Sequence, residues 1–273
     1  MTGRPSVLLV DDDVDTREMY GLYLEARGFT VHTAGSTPHG VAVAAAEHPD
    51  VIVTDFTLPG EDGFVLAARV RQTRGLAETP LVLVSGRAFV GGSGERALGL
   101  FDRVLLKPVL PDDLIAEFVP LLLDRTSARL QRQLGAVRER VRAIPTGSGI
   151  GRVMAALEDV AEGEEPPAAL LADGSAHYIE VNEAACSLTG RSREELLALS
   201  VWDLTPEVAL AEGRRLWNQF VAGGTLTGPY RLRTPAGVAV EATYAAAANV
   251  LPGCHLSLLH PLPPALILDQ PAV

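Results

Sequence analysis

Four short apolar runs, each unbroken and each closing on polar residues, constrain this chain more than any other feature. Val7-Leu8-Leu9-Val10 runs into Asp11-Asp12-Asp13, and Val51-Ile52-Val53 reaches Thr54 and Asp55. Leu81-Val82-Leu83-Val84 ends at Ser85, and Val104-Leu105-Leu106 ends at Lys107. A strand with one wet face alternates apolar and polar residues; unbroken runs suit strands covered on both faces, as in a parallel sheet. A weaker fifth run lies near Thr30 to Ala34. Helical spacing fills the gaps over residues 14–27, 38–47, 64–73 and 112–124, with a short, poor stretch at 95–98. Strands alternating with helices predict a doubly wound α/β domain over residues 1–124.

Such a sheet binds ligands outside the carboxyl ends of its strands. Asp11, Asp12, Asp55, Ser85 and Lys107 all fall there. Lys107 is the only lysine of the chain, the other 22 of its 23 basic residues being arginine. A lysine offers a compact point charge where arginine offers a wide planar fork. A single strand-ending Asp is usually a turn former or a helix cap; convergence of five polar residues on one rim is not explained that way. Clustered carboxylates repel one another and call for a hard divalent cation, and Mg²⁺ takes one or two carboxylates, carbonyl oxygen and retained waters. A carboxylate beside that cation can attack phosphorus, with the ammonium and the hydroxyl answering the charge on the phosphoryl oxygens.

The strings VLLVDDD, DVIVTDFTLPGEDG, VLVSG and LLKP, spread over residues 6–124, resemble the response-regulator receiver domain of bacterial two-component signalling. The resemblance implies a flavodoxin-like five-stranded parallel sheet and Asp55 as the phosphate acceptor. It implies Asp11, Asp12, Asp55 and the Thr57 carbonyl as Mg²⁺ ligands, Ser85 as the switch hydroxyl and Lys107 as the phosphoryl-sensing ammonium. It also implies a cis bond between Lys107 and Pro108, and a sensor histidine kinase or phosphotransfer protein as donor. Pro59-Gly60 and Gly63 match the turn after the acceptor. One position departs: the usual aromatic three residues before the lysine is Val104, and Phe101 lies three residues earlier. The resemblance thus implies a complete phosphorylation site and an altered readout.

Beyond residue 124 the charge changes sign. Residues 125–144 carry six arginines and one acid, between two segments that each sum to −8 within a total of −11. An acidic whole argues against direct nucleic-acid binding, where basic surface supplies most of the affinity. Leu123, Ser127, Leu130, Leu134, Val137, Val141 and Ile144 recur at intervals of 3 and 4, a heptad seam. The favoured reading is a helical linker over residues 125–165 that forms a short parallel coiled coil, hence a homodimer. The alternatives are an amphipathic helix docked on its own chain and, less favoured, a nucleic-acid-binding arm. Pro120 is expected to bend the preceding helix. Ile150, Val153, Leu157 and Val160 predict a further short helix.

The remaining sequence reads strand, Asp173-Gly174 turn, strand, then helices capped at Asn182 and Ser192, then three strands closing on Pro-Ala-Gly and Leu-Pro-Gly turns. Thr205-Pro206-Glu207 is read as the start of the longest of these helices. That order predicts an α+β domain with an antiparallel five-stranded sheet. With ADGSAHYIEVNEAACSLTGRSREEL, YRLRTPAGVAVEATY and CHLSLLH it resembles a PAS domain over residues 166–262. The family senses small molecules, light or redox state, or mediates dimers; the PAS ligand here is unknown, or there is none. The flavin-photosensor motif around a cysteine is absent, and Cys186 reads as core filler. His177, His255 and His260 read as ordinary sheet histidines rather than haem ligands. Residues 263–273 form a tail, and the stretch from Pro261 to Val273 is too short for a helix-turn-helix, kinase or cyclase. Neither an export signal nor a membrane span is apparent, so a cytoplasmic protein is expected. The expected whole is a response regulator that accepts phosphate, with no enzymatic output of its own; the alternative is a PAS-centred ligand sensor or adaptor whose receiver no longer switches.

Overall fold

The computed structural model describes residues 4–88, 99–143, 149–160, 166–235, 237 and 239–267; the helix expected near residues 95–98 lies outside them. The chain divides into two compact units, Met1–Asp124 with Pro263–Val273, and Arg125–Leu262.

In the first unit the apolar runs become β1 (Ser6–Val10), β3 (Val51–Asp55), β4 (Leu81–Ser85) and β5 (Arg103–Leu106), with β2 (Thr30–Ala34) from the weaker run. They form one sheet in the order β2-β1-β3-β4-β5, all parallel. β1, β3 and β4 are covered on both faces, as unbroken runs require, whereas Val104 and Leu106 of the β5 run are 39% and 55% exposed among the described residues. Leu8, Val10, Ile52 and Leu81 pack with α2 (Thr37–Glu47) and α3 (Gly63–Gln72). Val7, Leu9, Val53 and Val84 pack with α1 (Val14–Ala26) and with Leu114, Ile115 and Phe118 of α4 (Pro111–Ala143). The strand order reverses between β1 and β3, so a crevice opens beyond their carboxyl ends. Registers Val10↔Thr54, Asp55↔Val84 and Ser85↔Leu106 bring those ends level.

The second unit has the expected antiparallel sheet, in the order β7-β6-β10-β9-β8. Its strands are β6 (Ala168–Asp173), β7 (Tyr178–Val181), β8 (Thr225–Arg233), β9 (Ala239–Leu251) and β10 (Cys254–Pro261). Between β7 and β8 lie α6 (Glu183–Thr189), α7 (Arg193–Leu197), α8 (Val201–Leu204) and α9 (Leu210–Gly223). Asn182 caps α6 and Ser192 with Glu195 forms a capping box at α7, as their spacing implies. The long helix does not begin at Thr205. Pro206 disfavours helical backbone at the residue before it, and Thr205 is extended, closing α8; α9 starts at Leu210 after a 3₁₀ turn.

The heptad seam is also resolved differently from the favoured reading. α4 continues through Pro120 to Ala143, and Leu130, Leu134, Val137 and Val141 are buried against Ala169, Leu171, Ala245, Ala247, Leu256 and Leu258 of the sheet. Val153, Ala156 and Leu157 of α5 (Gly149–Val160) join the same cluster. The coiled coil is therefore replaced by an amphipathic helix docked on its own chain, and a dimer loses that seam as its surface. The reason lies in β6: Ala168-Ala169-Leu170-Leu171-Ala172 is unbroken and apolar, and all five residues are buried. Helices α6 to α9 cover one face, and the other needs a lid from elsewhere in the chain. Among the described residues no helix is long and apolar enough to cross a membrane.

Candidate functional site

The rim of the parallel sheet assembles from local choices. β1 delivers Asp11 into a turn whose Asp13 caps α1, accepting from the Asp15 N–H at 3.3 Å and from the Thr16 hydroxyl at 2.6 Å. The Asp11 carboxylate accepts the Asp13 N–H at 2.9 Å, and Arg17 donates to the Asp11 carbonyl at 2.6 Å. β3 delivers Asp55, whose carboxylate accepts the Phe56 N–H at 2.7 Å. The loop after it must fold back tightly, because Gly63 donates its N–H to the Phe56 carbonyl at 2.9 Å. A β-carbon on Gly63 would lie 2.6 Å from the Asp55 carbonyl oxygen, so the start of α3 tolerates no side chain there.

Asp11, Asp12 and Asp55 each offer a carboxylate oxygen, and these atoms lie within 4.8 Å of one another. Asp11 and Asp55 are each 9% exposed, while Asp12 is exposed. The Lys107 ammonium stands 3.3 Å from both Asp11 and Asp55, and the peptide bond from Lys107 to Pro108 is cis. Burial raises the Asp55 pKa and Asp11 adds to it, with Lys107 pulling the other way. Burial works to lower the Lys107 pKa, but Asp11 and Asp55 outweigh it and hold the ammonium above its ordinary value. At an effective dielectric of about 20, two carboxylates at this spacing repel by roughly 3–4 kcal/mol and each contact with the ammonium attracts by about 5 kcal/mol. The attraction to Lys107 thus exceeds the Asp11–Asp55 repulsion, while burial still leaves the Asp55 pKa raised. Three carboxylates against one ammonium still leave two negative charges, matching a hard divalent cation held through oxygen. A cavity of about 30 Å³ beside them is lined by Asp11, Thr16, Arg17, Tyr20, Asp55 and Lys107.

Ser85 is fully buried, and its hydroxyl is engaged in its own loop, donating to the Arg87 carbonyl at 2.9 Å and accepting the Arg87 N–H at 3.1 Å. Thr57 lies exposed, two residues after Asp55. The structure therefore brings together Asp11, Asp12, Asp55 and Lys107, and ties the Ser85 hydroxyl to Arg87. Val104 is 39% exposed on β5. Phe101 belongs to an aromatic string that no sequence pattern announces: Phe101 packs on Phe64 at 6.0 Å, Phe64 on Phe56 at 5.1 Å, and the Arg87 guanidinium lies 4.2 Å over the Phe56 ring. No periodicity links residues 56, 64, 87 and 101, since each comes from a different loop or element end.

The second unit holds a different kind of site. A cavity of about 140 Å³ lies on the helix-covered face of its sheet, walled by Tyr178, Trp202, Trp217, Phe220, Tyr230 and Tyr244, with Ser257 and Leu259 contributed by β10. The Thr205 and Tyr230 hydroxyls bond each other at 2.7 Å. Burial pushes the Tyr244 phenol up to about 12 and the Tyr178 phenol well above its ordinary value, so the walls are uncharged at neutral pH. His255 is 2% exposed and stacks edge-on against Trp217 and Phe220 at 5.4 and 5.7 Å. Its Nδ1 accepts the Asn249 N–H at 3.3 Å, and its Nε2 has no partner among the described residues.

The family model of the response regulator receiver domain matches residues 7–118, and that of the PAS fold matches residues 165–250. Among curated proteins, the phosphate regulon transcriptional regulatory protein PhoB of Pseudomonas aeruginosa is 30% identical over 125 residues, 45% of this chain and 53% of that protein. The transcriptional regulatory protein GltR of the same organism is 32% identical over 120 residues, 43% of this chain and 48% of that protein. A solved CheY-like receiver domain protein from Methanospirillum hungatei is 25% identical with a TM-score of 0.43, covering 45% of this chain and 98% of that one. The chain spans about half the length of the curated relatives it matches.

Proposed function

We propose that this chain, in which a response-regulator receiver domain is followed by a PAS fold, accepts a phosphoryl group on Asp55. The observation that carries the reading is the set of three carboxylates within 4.8 Å, two of them 3.3 Å from the only lysine. Asp11, Asp12, Asp55 and the Thr57 carbonyl would hold Mg²⁺, which supplies charge neutralisation for the phosphoryl oxygens. The donor is a phosphohistidine of a sensor kinase or phosphotransfer protein. An Asp55 carboxylate oxygen forms the new bond to phosphorus, the phosphorus–nitrogen bond breaks, and the imidazole leaves with a proton. Lys107 meets the charge on the transferred group, and Ser85 reaches it once its bonds to Arg87 open. The relatives are named as transcriptional regulators, yet the net charge of −11 favours an output through protein contacts rather than nucleic acid. Incubation with Mg²⁺ and acetyl phosphate should add one phosphoryl group by intact-protein mass spectrometry. Asp55→Asn should abolish it; the same gain in that variant contradicts the assignment.

A second reading has its own support, in the cavity of the PAS fold. About 140 Å³ of apolar, aromatic-walled space suits a small neutral molecule about the size of one aromatic ring. On this reading the PAS fold is a ligand sensor. Native mass spectrometry of the purified protein should then detect a co-purifying small molecule that leaves on denaturation.

A further inference from the structure

The chain crosses between its two units twice, within α4 at Asp124–Arg125 and again at Leu262–Pro263. After the second crossing it becomes part of the receiver. Ala265 and Leu266 are 8% and 7% exposed and belong to the same apolar cluster as Leu24, Phe29, Ile115, Phe118 and Leu122. A β-carbon at Gly28, in the turn after α1, would touch the Ala265 methyl at 3.7 Å. The segment is built to hold this conformation. Pro263 is extended at φ −58° and ψ 146°, and a 3₁₀ turn follows, with the Leu266 N–H on the Pro263 carbonyl at 2.9 Å and the Ile267 N–H on the Pro264 carbonyl at 3.1 Å. Two consecutive prolines restrict the undocked chain, so docking loses less conformational entropy.

The other end of this segment is β10. Ser257 and Leu259 of β10 wall the PAS cavity, and the strand ends at Pro261. Only Leu262 separates the strand from the docked segment, and its N–H is held by the Glu241 carbonyl at 2.8 Å. A cavity wall is thus joined to the receiver core by a few restrained residues. We propose that residues 263–267 are a latch, a built-in apolar ligand of the receiver through which the state of the PAS cavity acts on the phosphate-accepting domain. This direction, from PAS fold to receiver, goes beyond phosphate acceptance and depends on neither Asp55 nor a bound molecule.

Hydrogen exchange on the full chain tests it. Leu266→Asp should speed exchange of receiver peptides spanning residues 24–29 and 114–122 by roughly tenfold or more, and leave residues 168–173 of the PAS sheet unchanged. Leu266→Met should retain protection, and Leu266→Ala should give a smaller change of the same sign. Ala246→Leu, which adds bulk to a cavity wall, should alter exchange of the same receiver peptides in the otherwise intact chain and not in the Leu266→Asp chain. Should Ala246→Leu deprotect residues 168–173, Ser257→Ala takes its place. Unchanged receiver exchange in Leu266→Asp overturns the docking. Cavity variants that leave the receiver unaffected, or that affect it equally without Leu266, overturn the latch.

Discussion

The two sheets of this protein make sites of opposite kind. The parallel sheet gathers charge at the ends of its strands, where Asp11, Asp55 and Lys107 meet within hydrogen-bonding or near-contact distance. The antiparallel sheet keeps a neutral hollow in the middle of one face, walled by tyrosines, tryptophans and aliphatic side chains. The difference follows from how the strands are connected. Parallel strands place all their carboxyl ends on one edge, so polar residues at run ends converge. Antiparallel neighbours place theirs on opposite edges, leaving the shared space beneath the covering helices.

The largest expected effect separates the units. Leu130→Glu with Leu134→Glu places two carboxylates in the apolar cluster beneath the antiparallel sheet, at a cost of about 4 kcal/mol or more. Trp202 and Trp217 are the only tryptophans and both belong to the second unit, so their fluorescence reports that unit alone. The double variant should lose its tryptophan unfolding transition while still taking up phosphate. Native-like fluorescence with a normal transition would mean that α4 does not dock on the sheet.

A smaller effect sharpens the charged side. Lys107→Ala should slow phosphorylation by acetyl phosphate about 100-fold, the scale of losing one aimed electrostatic group. Lys107→Arg should also be impaired although it keeps the charge, because the planar fork does not fit a point contact with two carboxylates. Kinetics in both variants equal to those of the natural protein would show the ammonium to be a bystander.

Gly63→Ala should cost the receiver about 1–3 kcal/mol in urea unfolding, since its methyl would sit 2.6 Å from the Asp55 carbonyl oxygen. It should lower phosphorylation in step by displacing Asp55. A fully stable variant would show that the loop has slack.

The smallest effect belongs to the neutral side. Burial lowers the His255 pKa below its ordinary 6.5, with the Asp173 carboxylate opposing and with Trp217, Phe220 and the Asn249 N–H as its neighbours. The unfolded chain binds a proton near that value which the folded chain refuses. The stability contributed by the neutral imidazole is therefore fully present above pH 6.5 and is lost as pH falls from there towards the lower pKa of the folded chain. Tryptophan-detected urea midpoints should fall below pH 6.5 in the natural protein and fall less in His255→Asn, which keeps an acceptor for Asn249. Identical pH profiles would remove His255 as the cause.

What is legible in the sequence follows the same division. The receiver rim is legible because each member ends an apolar run, so one-dimensional spacing and sheet topology together specify its place. Leu130 to Val141 are legible as an apolar stripe but not as to what covers them. A stripe at heptad spacing suits a second copy as well as a sheet, and only the unbroken Ala168–Ala172 run points to a sheet needing cover on both faces. The cavity is illegible because its walls are ordinary core side chains, and a hollow is a volume that packing leaves unfilled. The docked Ala265 and Leu266 carry no periodicity, since a segment of five residues is too short to show one. Thr205 is misplaced by sequence because the same Thr-Pro pair can open a helix or end one, and here the Thr205 hydroxyl donates to the Val201 carbonyl and closes α8.

The most direct measurement of the central claim is chemical trapping. Borohydride reduces an aspartyl phosphate to homoserine, and peptide mass spectrometry then reads the position. After exposure to Mg²⁺ and acetyl phosphate, homoserine should appear at position 55 alone, and not when the cation is chelated. Homoserine at position 11 or 12, or none at any aspartate despite added phosphate, would contradict the account.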